Sequence, residues 1–226
     1  MKKVFATLSV IALVILLLYI SIHIPTFSIS TYENHYIEHG TSELISVSFD
    51  DLMIVTNRLL GYIGGIYDDL QITIEVDGVY RYFFNQREID HMVDVLLLFR
   101  IGRILMVISI ISLVLLWFWS YKNRYLDYFI KKNFIGFSIV IGFSIVIILF
   151  FYIDFVRYFH LFHDIFFFFD TERLWLLNPS TDLLINIVPY SFFINIFIKI
   201  GTIFISSVLA IFIITGFYTF RKGFEK

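Results

Sequence analysis

Four stretches of the chain are apolar for long enough to cross a bilayer as helices. Roughly 20 apolar residues, at about 1.5 Å each, cover the ~30 Å hydrocarbon layer. Val4–Ile24, Val93–Trp119, Phe134–Ile153 and Ile200–Phe220 meet that length, the second being uncharged from Ile104 onward. Between the first two spans the pattern changes. "SFDDLMIVTNRLLGYIGG" places Leu52, Val55, Leu59, Leu60 and Ile63 at helical spacing, with Ser48 or Asp50 to start the helix and Gly64–Gly65 to end it. "LQITIEVDGVYRYFF" alternates Ile72, Ile74 and Val76, turns at Asp77–Gly78 and continues over Val79–Phe84, which is a β-hairpin pattern. After the third span, "NPSTDLLINIVP" reads as a short apolar helix started by Ser180 or Thr181, with Pro179 and Pro189 breaking the chain on either side. The expected architecture is an all-α membrane core of four transmembrane helices with a small extracellular α+β cap. Its segments are transmembrane helices at 1–25, 91–120, 134–158 and 191–220. The cap is 26–90, an inner loop 121–133, an outer aromatic segment 159–190, and a tail 221–226. The first span competes with a secretory leader. It reads as an uncleaved anchor, because its apolar run is long and "YISIHIPTFS" offers no small-x-small cleavage site.

Composition agrees with this pattern. Of 226 residues, 59% are hydrophobic and 16% charged, against about a quarter charged in an ordinary soluble domain. The chain has no cysteine, which excludes disulfides, thiolate metal sites and a cysteine nucleophile. The basic residues set the orientation. Lys2, Lys3, Lys122, Arg124, Lys131, Lys132, Arg221, Lys222 and Lys226 all fall on one side of a four-span chain, with only Asp127 and Glu225 beside them. By the positive-inside rule that side is cytoplasmic and holds both termini. The remaining eight basic and seventeen acidic residues then lie outside. No nucleic-acid partner is expected.

All six histidines lie at or beyond the outer boundary. His35 and His39, in "ENHYIEHG", read as solvated surface rings. Arg87, His91 and Asp94 share one face of a helix, either as a polar ladder at the membrane surface or as an imidazole oriented by a carboxylate. In "FHLFHDIFFFFD", residues 159–170, His160, His163 and Asp164 fall within about one turn. Phe159, Phe162, Phe166 and Phe167 stand ready to wall a dry chamber, or else form an interfacial cluster with incidental histidines. Asp94 and Asp164 are candidates to orient the rings. Arg157 and Trp175 are candidates for substrate contact, against simpler readings as a snorkelling cation and an interfacial anchor. Two alternatives stay open: a hydrolase with a metal set of His91, His160, His163 and Asp164, and a non-enzymatic membrane accessory protein. No G-x-S-x-G, Walker A, H-E-x-x-H or H-x4-D motif occurs.

The order of "EIDHMVDV", "FHLFHDIFF", "LWLLNPSTDLLINIVP" and "YSFF", with one span, a cap and three further spans, resembles the lipoprotein intramolecular transacylase family. The resemblance implies a cofactor-free acyltransferase of the bacterial cell membrane. It would move the sn-2 acyl chain of a diacylglyceryl-cysteine lipoprotein onto the cysteine amine, leaving a lyso-form product. It also implies a catalytic pair, His91 in "E..H..DV" and His163 before "D-x-F-F", with His160 in support. The implied partners are the diacylated lipoprotein and membrane lipid, with a monomer expected.

Overall fold

The computed structural model describes residues 1–224; Glu225 and Lys226, which entered the charge distribution, lie outside them. The elements run α1 (Lys2–Thr26), α2 (Ile29–His39), α3 (Thr41–Ile45), α4 (Phe49–Gly64), β1 (Thr73–Val76), β2 (Val79–Tyr82), α5 (Gln86–Lys122), α6 (Leu126–Ile153), α7 (Phe155–Phe166), α8 (Leu183–Ile187) and α9 (Tyr190–Phe224). The fold is thus mostly helical with one small sheet. Helices α1, α5, α6 and α9 are long and apolar enough to cross a membrane.

The chain divides into two compact units. One contains, among the described residues, 1–23, 102–154 and 198–224. Here small residues let helices approach closely. A Cβ on Gly136 would lie 2.6 Å from Val10, and one on Gly216 would lie 2.9 Å from the Phe134 ring. Phe134 in turn stacks on Phe212 at 4.9 Å. Buried Asn133 donates to Ser9 Oγ at 3.2 Å, joining α6 to α1. Near the end of α9, Lys222 Nζ and the Tyr218 hydroxyl both donate to Asp127 at 2.6 Å.

The other unit contains residues 24–101 and 155–197. Helix α4 starts where the sequence places it. Ser48 is its N-cap, accepting from Asp51 N at 3.1 Å, and Gly65 closes it in the left-handed region at φ 78°. Its apolar stripe, including Leu52, Val55 and Leu59, is buried. The hairpin also forms as expected. Val76 pairs with Val79 across Asp77 (φ 53°) and Gly78 (φ 78°), the two positive φ values that a tight two-residue hairpin turn requires. Ile74 and Val76 face inward, whereas all of β2 is exposed.

Four expectations are corrected. The 121–133 loop shrinks to a turn over 123–125, because α5 runs on to Lys122 and α6 begins at Leu126. The helix expected to run to 158 is interrupted, with α6 ending at Ile153. At Asp154 the backbone opens to φ −153°, ψ 86°, and α7 starts afresh. The N-cap of α8 is Asp182; Ser180 and Thr181 lie in the turn ahead of it. His35 is not solvated. It is 3% exposed, stacks on His39 at 4.1 Å, and meets the Phe192 ring edge-on at 5.3 Å.

Both ring nitrogens of His35 are buried without a hydrogen-bond partner. Burial, assisted by His39 and opposed by Glu38, pushes the ring down to about 4. The unfolded chain takes up a proton near the ordinary value of about 6.5, whereas the folded ring does so only near 4. Stability contributed by the neutral ring is therefore present above about 6.5 and lost as pH falls toward 4. His35→Phe should flatten this dependence. Between pH 7 and pH 5 its unfolding midpoint, followed by scanning fluorimetry, should fall by about 2–4 °C less than that of the native protein.

Candidate active site

Helix α7 carries Arg157, His160, His163 and Asp164, successively three, three and one residues apart, so they fall on one side of an otherwise apolar helix. His163 is buried, and its Nδ1–H donates to the Phe159 carbonyl one turn back at 2.7 Å. That bond fixes the tautomer and leaves the Nε2 lone pair as the basic position. Phe159 (4.2 Å), Trp175 (4.9 Å), Phe162 (5.3 Å) and Phe167 (5.5 Å) surround the ring.

His91 comes from α5. This helix has 37 residues, far more than a bilayer needs. The expected span Val93–Trp119 takes up most of it, and the turns ahead of and around its start carry Arg87, Glu88, Asp90 and Asp94 beside His91. The His91 ring is buried, 6.3 Å from the His163 ring between centroids, and Phe167 lies 5.4 Å away edge-on. Thus the structure brings together two histidines that are 72 positions apart in the sequence.

Both rings are held neutral. Burial pushes His91 down to about 4, with His163 and Arg87 assisting and Asp170 opposing. Burial also lowers His163, against its bond to Phe159 and the charge of Asp164, while His160 adds to the lowering. The rings lie 6.3 Å apart between centres and make no hydrogen bond to each other. Two unprotonated imidazoles around one group can accept a proton and pass it on.

The other candidates separate. His160 does not join the pair: its Nε2 is 2.9 Å from the Tyr190 hydroxyl, and its ring meets Trp175 at 5.2 Å. Trp175 is buried between the two α7 histidines, not anchored at a surface. Asp164 does not orient a ring; it is an exposed ion pair with Arg173 at 2.6 Å. His91 Nδ1 has no hydrogen-bond partner, so Asp94 does not orient it there. Phe159, Phe167 and Trp175 form the walls. Phe162 is partly exposed, and the Phe166 ring lies tilted against it at 4.6 Å. Arg157 is exposed and lies over the Tyr158 ring. The four side chains put forward for a metal do not converge, and among the described residues no cluster of three or more His, Asp or Glu side chains is arranged to hold an ion.

Since the Asp164–Arg173 pair is exposed, its net contribution is about 0–1 kcal/mol. Asp164→Asn should therefore change the rate of the site's reaction by less than about threefold in a purified-enzyme assay.

Three participants were missed by sequence reasoning. Tyr190 follows the Pro189 break, and nothing local to it points to His160. Asp170 lies near enough for its charge to act on His91, and it accepts from the backbone of Glu172 (3.1 Å) and Leu174 (2.6 Å). Glu88 is 1% exposed and accepts from the backbone of Asn85 and Leu184. The spacing Asn85-x-x-Glu88 is a helix-start pattern and was legible.

The family model described as lipoprotein intramolecular transacylase Lit matches residues 7–193. No curated protein sequence matches the chain. Among solved structures, the chain is similar to the membrane-integral lipoprotein intramolecular transacylase Lit from Bacillus cereus. The TM-score is 0.80 at 17% identity, covering 100% of this chain and 99% of that one. Two variants of the Bacillus cereus protein, with one histidine replaced by arginine or by alanine, both match with a TM-score of 0.75. Their identities are 16% and 17%, and each match covers 100% of this chain, with 95% and 96% of theirs. These structural likenesses concern the fold.

Proposed function

The chain belongs to the lipoprotein intramolecular transacylase family and is therefore an acyltransferase, and from this premise we propose that it moves the sn-2 acyl chain of a diacylglyceryl-cysteine lipoprotein onto the cysteine α-amine. The observation that carries this reading is the His91–His163 pair, neutral, buried and walled by Phe159, Phe167 and Trp175.

The substrate brings both reactants. Amine and ester are linked through the thioether and glycerol carbons, so attack closes a ring of about eight atoms and the enzyme's main task is to hold the two ends together. As the N–C bond forms, the amine nitrogen gives up a proton; as the ester C–O bond breaks, the glycerol oxygen takes one. The net transfer is one proton from nitrogen to oxygen, with no water, metal or cofactor consumed. His163 Nε2, with Nδ1 committed to Phe159, is placed to accept, and His91 shares the passage to the leaving oxygen. The aromatic walls hold the chain and exclude the water that would hydrolyse the ester.

The positive-inside distribution supports placement in a bacterial cell membrane with both termini cytoplasmic and the pair at the outer face, where an anchored lipoprotein is met. The test is expression in a bacterium that makes diacylated lipoproteins, with mass spectrometry of a reporter lipoprotein. One acyl chain on the N-terminal amine and one left on glycerol is the expected product. Two chains still on glycerol would refute the assignment.

A further inference from the structure

The segment "NPSTD" plays no part in the acyl transfer described above, yet it is tied to the start of α5 by an uncommon arrangement. Glu88 is the third residue after Asn85, and the two cap each other: Asn85 N donates to Glu88 Oε2 at 2.7 Å, and Glu88 N donates to Asn85 Oδ1 at 3.1 Å. A capping box of this kind normally serves one helix. Here the second carboxylate oxygen, Oε1, accepts the backbone N–H of Leu184 in the first turn of α8. One carboxylate, 1% exposed, thus closes the open N–H groups of two helices 96 positions apart.

Asn85 extends the link. Its side-chain amide donates to Asp182 Oδ1 at 2.8 Å, while Asp182 Oδ2 accepts from Asn178 N at 2.7 Å and Oδ1 also accepts from Thr181 Oγ1 at 3.0 Å. Asp182 is 3% exposed. One residue from Glu88, Arg87 donates to the carbonyls of Arg173 (2.8 Å) and Leu176 (3.3 Å), on either side of Trp175. The helix start that carries His91 is therefore fastened along the length of the segment that presses Trp175 onto His163.

We propose that Asn85, Glu88 and Asp182 form a buried latch that sets the aim of His91 toward His163, making Glu88 and Asp182 positioning residues for the acyl transfer. This rests on the reading that His91 and His163 carry that reaction. Both carboxylates use both oxygens as acceptors, so Glu88→Gln or Asp182→Asn turns one acceptor into a donor facing another donor without changing the size of the side chain. Misplacing a reacting group by about 1 Å costs up to about 10²-fold in rate.

The experiment uses the full chain in detergent with a synthetic diacylglyceryl-cysteine lipopeptide. It compares the native protein, Glu88→Gln, Asp182→Asn, the double variant, His91→Ala, and Glu75→Gln as an exposed-carboxylate control. Asn85→Ala is the milder variant should either isosteric change prevent folding, since it removes only the side-chain arm. Each latch variant should lower kcat roughly tenfold or more with KM within about twofold. The double variant should be little worse than the poorer single one, as expected for one network. Diethyl pyrocarbonate, read at His91 by peptide mass spectrometry, should modify the latch variants faster than the native protein. Native kcat and native His91 labelling in the latch variants, with His91→Ala inactive, would overturn the latch. Full activity in His91→Ala would instead overturn the histidine reading beneath it.

Discussion

Replacing His163 with alanine should reduce conversion of a diacylglyceryl lipoprotein by about 10²- to 10⁴-fold, the range for removing a general acid–base group. The size of the effect follows from the site's economy. The ring's Nδ1 is committed to the Phe159 carbonyl, its Nε2 is the basic position, and no other side chain on α7 can replace it. His160 is turned toward Tyr190, and Asp164 toward Arg173. His91→Ala should fall in the same range. The double variant should be scarcely worse than either single one, because the two rings serve one proton path. Mass spectrometry of product with time separates these outcomes, since a 10³-fold loss leaves substrate intact over hours. The pH profile should show two limbs. Below about 7.7–8.0 the rate falls about tenfold per unit as the substrate's α-amine protonates. It should not steepen at about 6.5, where a free imidazole titrates. A second break belongs lower, because burial holds both rings below their ordinary value and each loses its lone pair only when protonated.

Trp175→Ala should change what the enzyme makes as well as how fast. The indole is buried and touches His163 on one side and His160 on the other, with the Arg173 guanidinium over its ring at 5.3 Å. Truncating a buried aromatic costs about 3–5 kcal/mol and leaves a hole. This hole would lie beside the base, where water can enter. Water next to an imidazole and an ester hydrolyses the ester. Free fatty acid and a lipoprotein with an unmodified amine should therefore become the main products. Trp175→Phe refills much of the space and should restore acyl transfer. A variant that loses rate with no free fatty acid would mean that Trp175 only supports the fold.

What the sequence made legible was local. The spans, the Ser48–Gly65 helix and the Asp77–Gly78 hairpin rest on periodicity and turn chemistry within a few residues. Pairing His91 with His163 depended on family resemblance, because no spacing rule reaches across 72 positions. The break at Asp154 carries neither proline nor glycine, so nothing in the apolar run announced it. His35 was misjudged because its neighbours in "ENHYIEHG" are polar, while what buries it, Phe192, comes from α9. Asp164 showed the limit of i, i+4 reasoning: spacing shows which residues share a face, but not which distant cation competes for one of them. The capping of α5 by Glu88 was legible in Asn85-x-x-Glu88, but its second partner, 96 positions away, was not.

The bond from His163 to Phe159 has a consequence for how the reaction can be switched. Ring and carbonyl belong to the same helix and sit one turn apart, so the aim of the base is only as secure as that turn. The last backbone closure of α7, from Phe167 N to the His163 carbonyl at 2.8 Å, lies directly beyond it. Local fraying costs far less than global unfolding. A lipid, peptide or temperature that unwound this single turn would swing the imidazole away while every spanning helix stayed intact. Turnover would then report on the winding of a few residues, and the protein could fall silent without denaturing.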